Sequence, residues 1–277
     1  LGMISNSGKT RFMVRLAAYN SFVQRNKSLL LVNEMSIEEI RLALLTTIIN
    51  GKDFQELHGV TMKKPERELS LGLYRDKKGE FIYRKTDEKG SFVETLEEYK
   101  SRLMFDSEEY RNVQIVSSWI EETGIRDFAV IDVSGRYDDK SLETQIRKNC
   151  RLGFSYIFYD TLKSDNDATG EWAAFKRTTT LLTEIAKNEE IFLYTSIQLL
   201  DEVENIEPLK LNSNQIANAK QIRHVLDSLI LSKEIDKEKL SGYLYYPNTK
   251  NSIGDGSTMA QRIPESRNPA DRYYAFV

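Results

Sequence analysis

Leu1-Gly2-Met3-Ile4-Ser5-Asn6-Ser7-Gly8-Lys9-Thr10 opens the chain, and its reading decides the fold. A Gly-Lys-Thr at the mouth of a helix is the sequence form of a phosphate cradle. Backbone N–H groups of such a loop and of the first helical turn converge on phosphate oxygens. Lys9 brings positive charge to the β- and γ-phosphates, and Thr10 brings a hydroxyl to Mg2+. Ser5, Asn6, Ser7, Gly8 and Arg11 complete the candidate nucleotide-binding set. From Arg11 onward, apolar residues recur at Phe12, Met13, Leu16, Ala17, Phe22 and Val23, the spacing of a helix. The pattern has one irregularity. The position five residues before Gly8 is Met3, and Gly2 lies one residue too early. The loop is therefore either one residue longer than usual or lacks its leading glycine; an ordinary glycine turn before a helix is the bland alternative. No strand is readable ahead of Gly2, so residues upstream of Leu1 are expected to belong to the same protein.

Composition narrows the classes. The 277 residues are 40% hydrophobic and 29% charged, enough for a sizeable core. A net charge of −3 gives no bulk attraction to duplex DNA. Cys150 is the single cysteine, which excludes an intrachain disulfide and fits a reducing, cytoplasmic setting. His58 and His224 are the only histidines, so a His-based zinc site or a Ser-His-Asp triad has little support. No apolar run approaches a membrane span, and no membrane partner is expected.

Outward from the loop, apolar strands alternate with helices. Ser28-Leu29-Leu30-Leu31-Val32-Asn33 reads as a buried parallel strand followed by Glu34-Met35. Ser36 with Glu39 forms a capping box for a helix that stops near Gly51. Residues 52–106 read as an insertion, with a hairpin turning at Asp76-Lys77-Lys78-Gly79 and an amphipathic helix near 93–105. Further strands are expected at 128–133, 154–159, 191–196 and 228–231, with late strands at 243–246 and 273–277. Helices are expected around 115–124, 142–152, 171–188 and 212–227. No internal repeat stands out. The whole, 1–277, reads as one α/β domain with a mainly parallel central sheet flanked by helices. In such sheets ligands sit at the carboxyl ends of the strands. The P-loop, Glu34, Asp132, Asp160 and Gln198 all fall at such ends.

The residues suggest roles. A carboxylate ending an apolar strand, as in Tyr156-Ile157-Phe158-Tyr159-Asp160, can hold nucleotide-bound Mg2+. Glu34 can polarise an attacking water, or merely compensate the N-terminal charge of the next helix. In this order the parts resemble the RecA-like P-loop NTPase domain of DnaB-type replicative helicases, in a divergent form. The resemblance rests on the P-loop, Val32-Asn33-Glu34-Met35, Ile157-Phe158-Tyr159-Asp160 and Thr195-Ser196-Ile197-Gln198. It implies ATP and Mg2+ as cofactors, Thr10 and Asp160 at the metal, and Glu34 as catalytic base. It further implies Gln198 as γ-phosphate sensor, although a residue separates Ser196 from Gln198 here, and Lys250 reaching the neighbouring subunit's nucleotide. The arginine usual beside that lysine is replaced by Ser252; Arg262, Arg267 and Arg272 lie nearby without motif support.

The expectation is an ATP-hydrolysing helicase or translocase on single-stranded DNA, assembled as a homo-oligomeric ring. Loops at 163–170 and 200–214 are acidic, which favours an alternative, a RecA-like switch or assembly ATPase without unwinding. A small-molecule kinase, with residues 52–106 as lid, is the third reading.

Overall fold

A computed structural model describes residues 1–3, 8–124, 126–134, 138–162, 171–199, 201–206, 211, 226–235, 259–263 and 272–276. The chain starts in β1 (Gly2–Met3), and α1 (Lys9–Ala18) follows the loop and runs into a π-helical turn at Tyr19–Val23. β2 (Ser28–Val32) leads to α2 (Ile37–Asn50). The Ser36–Glu39 capping box starts α2, with Glu39 N–H on Ser36 Oγ at 3.3 Å and Ser36 N–H on the Glu39 carboxylate at 2.9 Å. Next come α3 (Lys52–His58), α4 (Glu66–Ser70), β3 (Tyr74–Arg75), β4 (Phe81–Ile82), α5 (Leu96–Asp106) and α6 (Glu108–Gly124). The alternation then resumes with β5 (Phe128–Asp132), α7 (Asp139–Cys150), β6 (Tyr156–Asp160), α8 (Glu171–Asn188), β7 (Phe192–Thr195) and β8 (Ile197–Gln198). A short 3-10 turn at Asp201–Asn205 precedes β9 (Ser232–Ile235), β10 (Met259–Ile263) and β11 (Arg272–Phe276).

The central sheet runs β5-β2-β6-β7, all parallel, with Val32 level with both Asp132 and Asp160. β2 is buried along its length. Its side chains alternate between two cores. Leu30 and Val32 join Met13, Ile40 and Phe158 on one face, while Leu29 and Leu31 join Ile146, Tyr159 and Ile185 on the other. A parallel strand covered by helices on both faces reads as a continuous apolar run for this reason.

Two sequence readings change at the chain's start. Gly2–Met3 is itself the end of a strand, paired parallel with β8 and bridged on its other edge to Leu231. Gly2 is thus a strand residue, and Met3 stands where the loop's leading glycine is usual. The glycine serves packing, because a Cβ there would lie 2.8 Å from Leu231 Cδ2 and 2.9 Å from Leu199 Cδ2. Leu231 forms the bridge, and the regular strand follows it at Ser232–Ile235 rather than ending there. β9 and β10 flank β11 in an antiparallel sheet. The expected strand at 243–246 and most of the expected helix at 212–227 lie outside the described residues.

The insertion carries a repeat that the sequence reading passed over. Asp76-Lys77-Lys78-Gly79-Glu80-Phe81 and Asp87-Glu88-Lys89-Gly90-Ser91-Phe92 form the same turn twice. Asp76 Oδ1 accepts from Lys78 and Glu80 N–H at 2.8 and 3.0 Å, and Asp87 Oδ1 from Lys89 and Ser91 N–H at 2.9 and 2.8 Å. Gly79 and Gly90 take φ of 86° and 81°, a region that excludes most side chains. Each turn delivers its phenylalanine under an arginine, Arg75 at 4.2 Å from the Phe81 ring centre and Arg84 at 4.1 Å from Phe92. The repeat is missed by eye because only Asp, Lys, Gly and Phe recur.

Candidate nucleotide site at the strand ends

The site grows from three strand ends and one helix start. Gly8 caps α1 with φ 92°, and its carbonyl accepts the Phe12 N–H at 3.0 Å. This left-handed turn swings the chain from the loop into the helix, placing Lys9 and Thr10 in the first turn. Lys9 is 7% exposed, a low value for lysine. Ser5, Asn6 and Ser7 lie outside the described residues.

Asp160 ends β6 and is 1% exposed. Its Oδ2 accepts from Thr10 Oγ1 at 2.5 Å, and its Oδ1 from Ser196 Oγ at 2.5 Å. Burial raises its pKa above the ordinary carboxylate value; the Ser196 and Thr10 hydrogen bonds oppose that, the Glu34 charge adds to it and the Lys9 charge reduces it. The structure thus brings together Lys9, Thr10, Asp160 and Glu34. Glu34 is solvent-exposed just past β2. Hard oxygen donors from Thr10 and Asp160, beside a buried lysine, suit Mg2+ held chiefly by phosphate and water. In keeping with that, the described residues hold no cluster of three or more His, Cys, Asp or Glu side chains able to cage a metal alone.

Other candidates fall elsewhere. Arg11 forms an ion pair with Glu66 at the start of α4, and both side chains are largely buried. Gln198 is exposed in β8, level with Met3 of β1. Asp132 is exposed and accepts the Ser134 N–H at 2.8 Å. Lys250 lies outside the described residues.

Three residues at the centre escaped sequence reasoning. Ser196 is fully buried and holds Asp160, so the Ser of the Ser-Ile-Gln element faces the carboxylate. Thr161 Oγ1 lies 2.7 Å from Ser196 Oγ. Asn33 joins the ends of β2 and β6, its side chain donating to Thr161 O at 2.7 Å and accepting from Thr161 N–H at 3.0 Å. The available signal was polarity at the ends of apolar strands. The Asp160–Thr161 peptide bond is cis.

No family model and no curated protein matches the sequence. Solved structures do. One is a DnaB-like replicative helicase that interacts with primase, with a TM-score of 0.59 at 12% identity over 98% of this chain and 52% of that one. The chain thus spans about half of that helicase. Another is an isolated ATPase domain, with a TM-score of 0.58 at 12% identity over 98% of this chain and 78% of that one. At such identity the likeness speaks for architecture. Joined to the strand order and the loop-to-helix start, it shows that this chain has the RecA-like P-loop fold found in DnaB-like replicative helicases.

Proposed function

We propose that residues 1–277 form one ATP-hydrolysing RecA-like motor domain, with 52–106 inserted, that acts on single-stranded DNA as a DnaB-like helicase or translocase. The observation that carries this reading is the Thr10–Asp160 hydrogen bond of 2.5 Å beside a buried Lys9. It joins the helix after the loop to the strand-end carboxylate, the pair that a Mg2+-nucleotide bridges. When bound, Mg2+ neutralises charge on the β- and γ-phosphate oxygens. Thr10 and Asp160 orient it, and Lys9 adds a second positive charge at the same oxygens. Glu34 orients the attacking water and takes its proton as the water oxygen bonds to the γ-phosphorus and the bond to the β-phosphate oxygen breaks. Gln198, at the next strand end, senses the γ-phosphate. Lys250 serves the neighbouring site, so the working form is a homo-oligomeric ring in the cytoplasm.

Turnover of Mg-ATP with and without single-stranded DNA tests the proposal. The DNA raises turnover, and Lys9→Ala loses both nucleotide binding and hydrolysis. Turnover and assembly indifferent to DNA would remove the motor reading and leave a RecA-like switch ATPase. The acidic turn Asp201-Glu202-Val203-Glu204, just past β8, favours that second reading. The kinase reading loses its lid, because Arg75, Arg84 and Arg102 of the insertion are committed to Glu68, the Glu94 carbonyl and the Glu94 carboxylate. No helix among the described residues is long and apolar enough to cross a membrane.

A further inference from the structure

We propose that Asn33 is a positioning residue for hydrolysis, fixing Glu34 against Asp160 by gripping the Thr161 peptide groups from both sides. The inference rests on the ATPase reading above and assigns a role to a residue that reading does not use.

The grip begins in the backbone. β2 and β6 lie side by side with Val32 level with Asp160. One residue on, Asn33 N–H donates to the Asp160 carbonyl at 3.0 Å. The ladder is thus carried to the residue directly before Glu34. The side chain then clasps the next residue of β6's exit. Oδ1 accepts from Thr161 N–H at 3.0 Å, and Nδ2 donates to Thr161 O at 2.7 Å and to Tyr159 OH at 3.1 Å. This pattern fixes the amide orientation, since the flipped form would set N–H against N–H and oxygen against oxygen.

Every part of the clasp is sequestered. Asn33 is 8% exposed, Thr161 4% and Tyr159 0%, so no water competes for these groups. Asparagine alone among side chains of this reach offers donor and acceptor on adjacent atoms. Aspartate lacks the donor, and leucine, its near-isostere, lacks both.

The clasp continues to the metal-side carboxylate. Thr161 Oγ1 lies 2.7 Å from Ser196 Oγ, which donates to Asp160 Oδ1 at 2.5 Å. Oδ2 is left to Thr10 at 2.5 Å. Asn33 therefore stands between the two carboxylates whose separation matters. On one side it is covalently next to Glu34, and on the other it holds the residue covalently next to Asp160. Glu34 is exposed, and this neighbour supplies a fixed origin for it. A base displaced by about 1 Å costs on the order of 100-fold in rate while substrate binding survives.

The test is steady-state Mg-ATP hydrolysis and fluorescent-ATP binding by the full chain, for wild type, Asn33→Ala, Glu34→Gln and the double variant. Asn33→Ala is expected to lower kcat about 100-fold, with KM and nucleotide Kd within about threefold. In the Glu34→Gln background the same substitution adds no further fall, because the group it positions is already gone. Wild-type kcat in Asn33→Ala overturns the inference. So does a parallel loss of nucleotide affinity, or a further full fall beside Glu34→Gln, since either marks a general structural role. Should Asn33→Ala fail to fold, Tyr159→Phe removes one partner of the clasp and keeps the ring in the core. A severalfold fall in kcat at unchanged KM then supports the inference, and wild-type kcat overturns it. Absence of Mg-ATP turnover in the wild-type chain overturns the ATPase reading and this inference together, whereas turnover that Asn33 does not affect overturns this inference alone.

Discussion

Thr10 Oγ1 donates to Asp160 Oδ2 at 2.5 Å, across 150 residues of sequence. The contact ties the first turn of α1 to the end of β6 at the point where Mg2+ would bridge protein and phosphate. Thr10→Ser keeps the hydroxyl and is expected to retain hydrolysis within a few-fold. Thr10→Val keeps the shape and loses the oxygen, and Asp160→Asn keeps the size and loses the charge. Both are expected to lower Mg-ATP hydrolysis by about 100-fold or more and to raise the Mg2+ concentration at half-maximal rate. A Mg2+ titration of turnover reads both effects. Unchanged titrations in both variants would place the metal elsewhere.

Glu34 separates chemistry from binding. The side chain is exposed and supports no core, so Glu34→Gln leaves the fold intact. Glutamine still hydrogen-bonds water and cannot take its proton. Single-turnover hydrolysis is expected to fall by about 10²–10⁴-fold, the range of a lost general base, with fluorescent-ATP affinity within about threefold. A variant hydrolysing at the wild-type rate would show that Glu34 only caps charge at α2.

These two predictions use residues the sequence names by itself, and the reason is physical. A strand buried on both faces is a run such as Leu29-Leu30-Leu31-Val32, and the first polar residues after it lie at the sheet's edge. Lys9, Thr10, Glu34 and Asp160 were legible in that way, as were the capping box at Ser36 and helix α8, found at Glu171–Asn188. What was not legible depends on strand order. β7 and β8 lie between β6 and β1, and only that adjacency turns Ser196 toward Asp160 and leaves Gln198 level with Met3. The two-residue β1 is too short to show a period, and its pairing to β8 and Leu231 is tertiary. Arg11 reads as a nucleotide ligand from its place after Thr10, but its guanidinium meets Glu66 of a segment 55 residues away.

The charge-rich insertion is pinned by a buried lysine. Lys64 is fully buried, with Nζ 2.8 Å from Glu68 and 2.5 Å from Glu109, and the same carboxylates hold Arg75 of the first hairpin. Its ammonium also lies 5.2 Å from the Tyr74 ring centre. Charges removed from water stay only while paired, so deleting one partner costs more than the pair contributes. Lys64→Ala is expected to destabilise the chain by about 3 kcal/mol, read as a lower urea midpoint. A loss under about 1 kcal/mol, the ordinary value of a surface pair, would show that the network is solvated.

Acid should loosen the second hairpin through Glu94. Its carboxylate accepts from Arg102 at 2.8 and 2.7 Å and from the Lys85 N–H at 3.1 Å. Arg102 is the first cause of a pKa held down to about 2, with burial opposing it. The unfolded chain titrates this group near about 4.3. Between those values the unfolded state binds the proton and the folded state does not. The contribution to stability is therefore fully present above about pH 4.3 and is lost as pH falls toward about 2. Neighbouring carboxylates shift the same way, Asp76 through the Glu80 N–H and Glu98 through the Thr95 N–H, so the bulk acid curve cannot isolate Glu94. The difference between wild type and Glu94→Gln can. Urea midpoints of the two chains are expected to stand furthest apart at pH 5 to 7 and to converge as pH falls from about 4.3 to about 2. A difference that stays constant over that range would mean that Glu94 acts by shape and hydrogen bonding alone, with its charge contributing nothing.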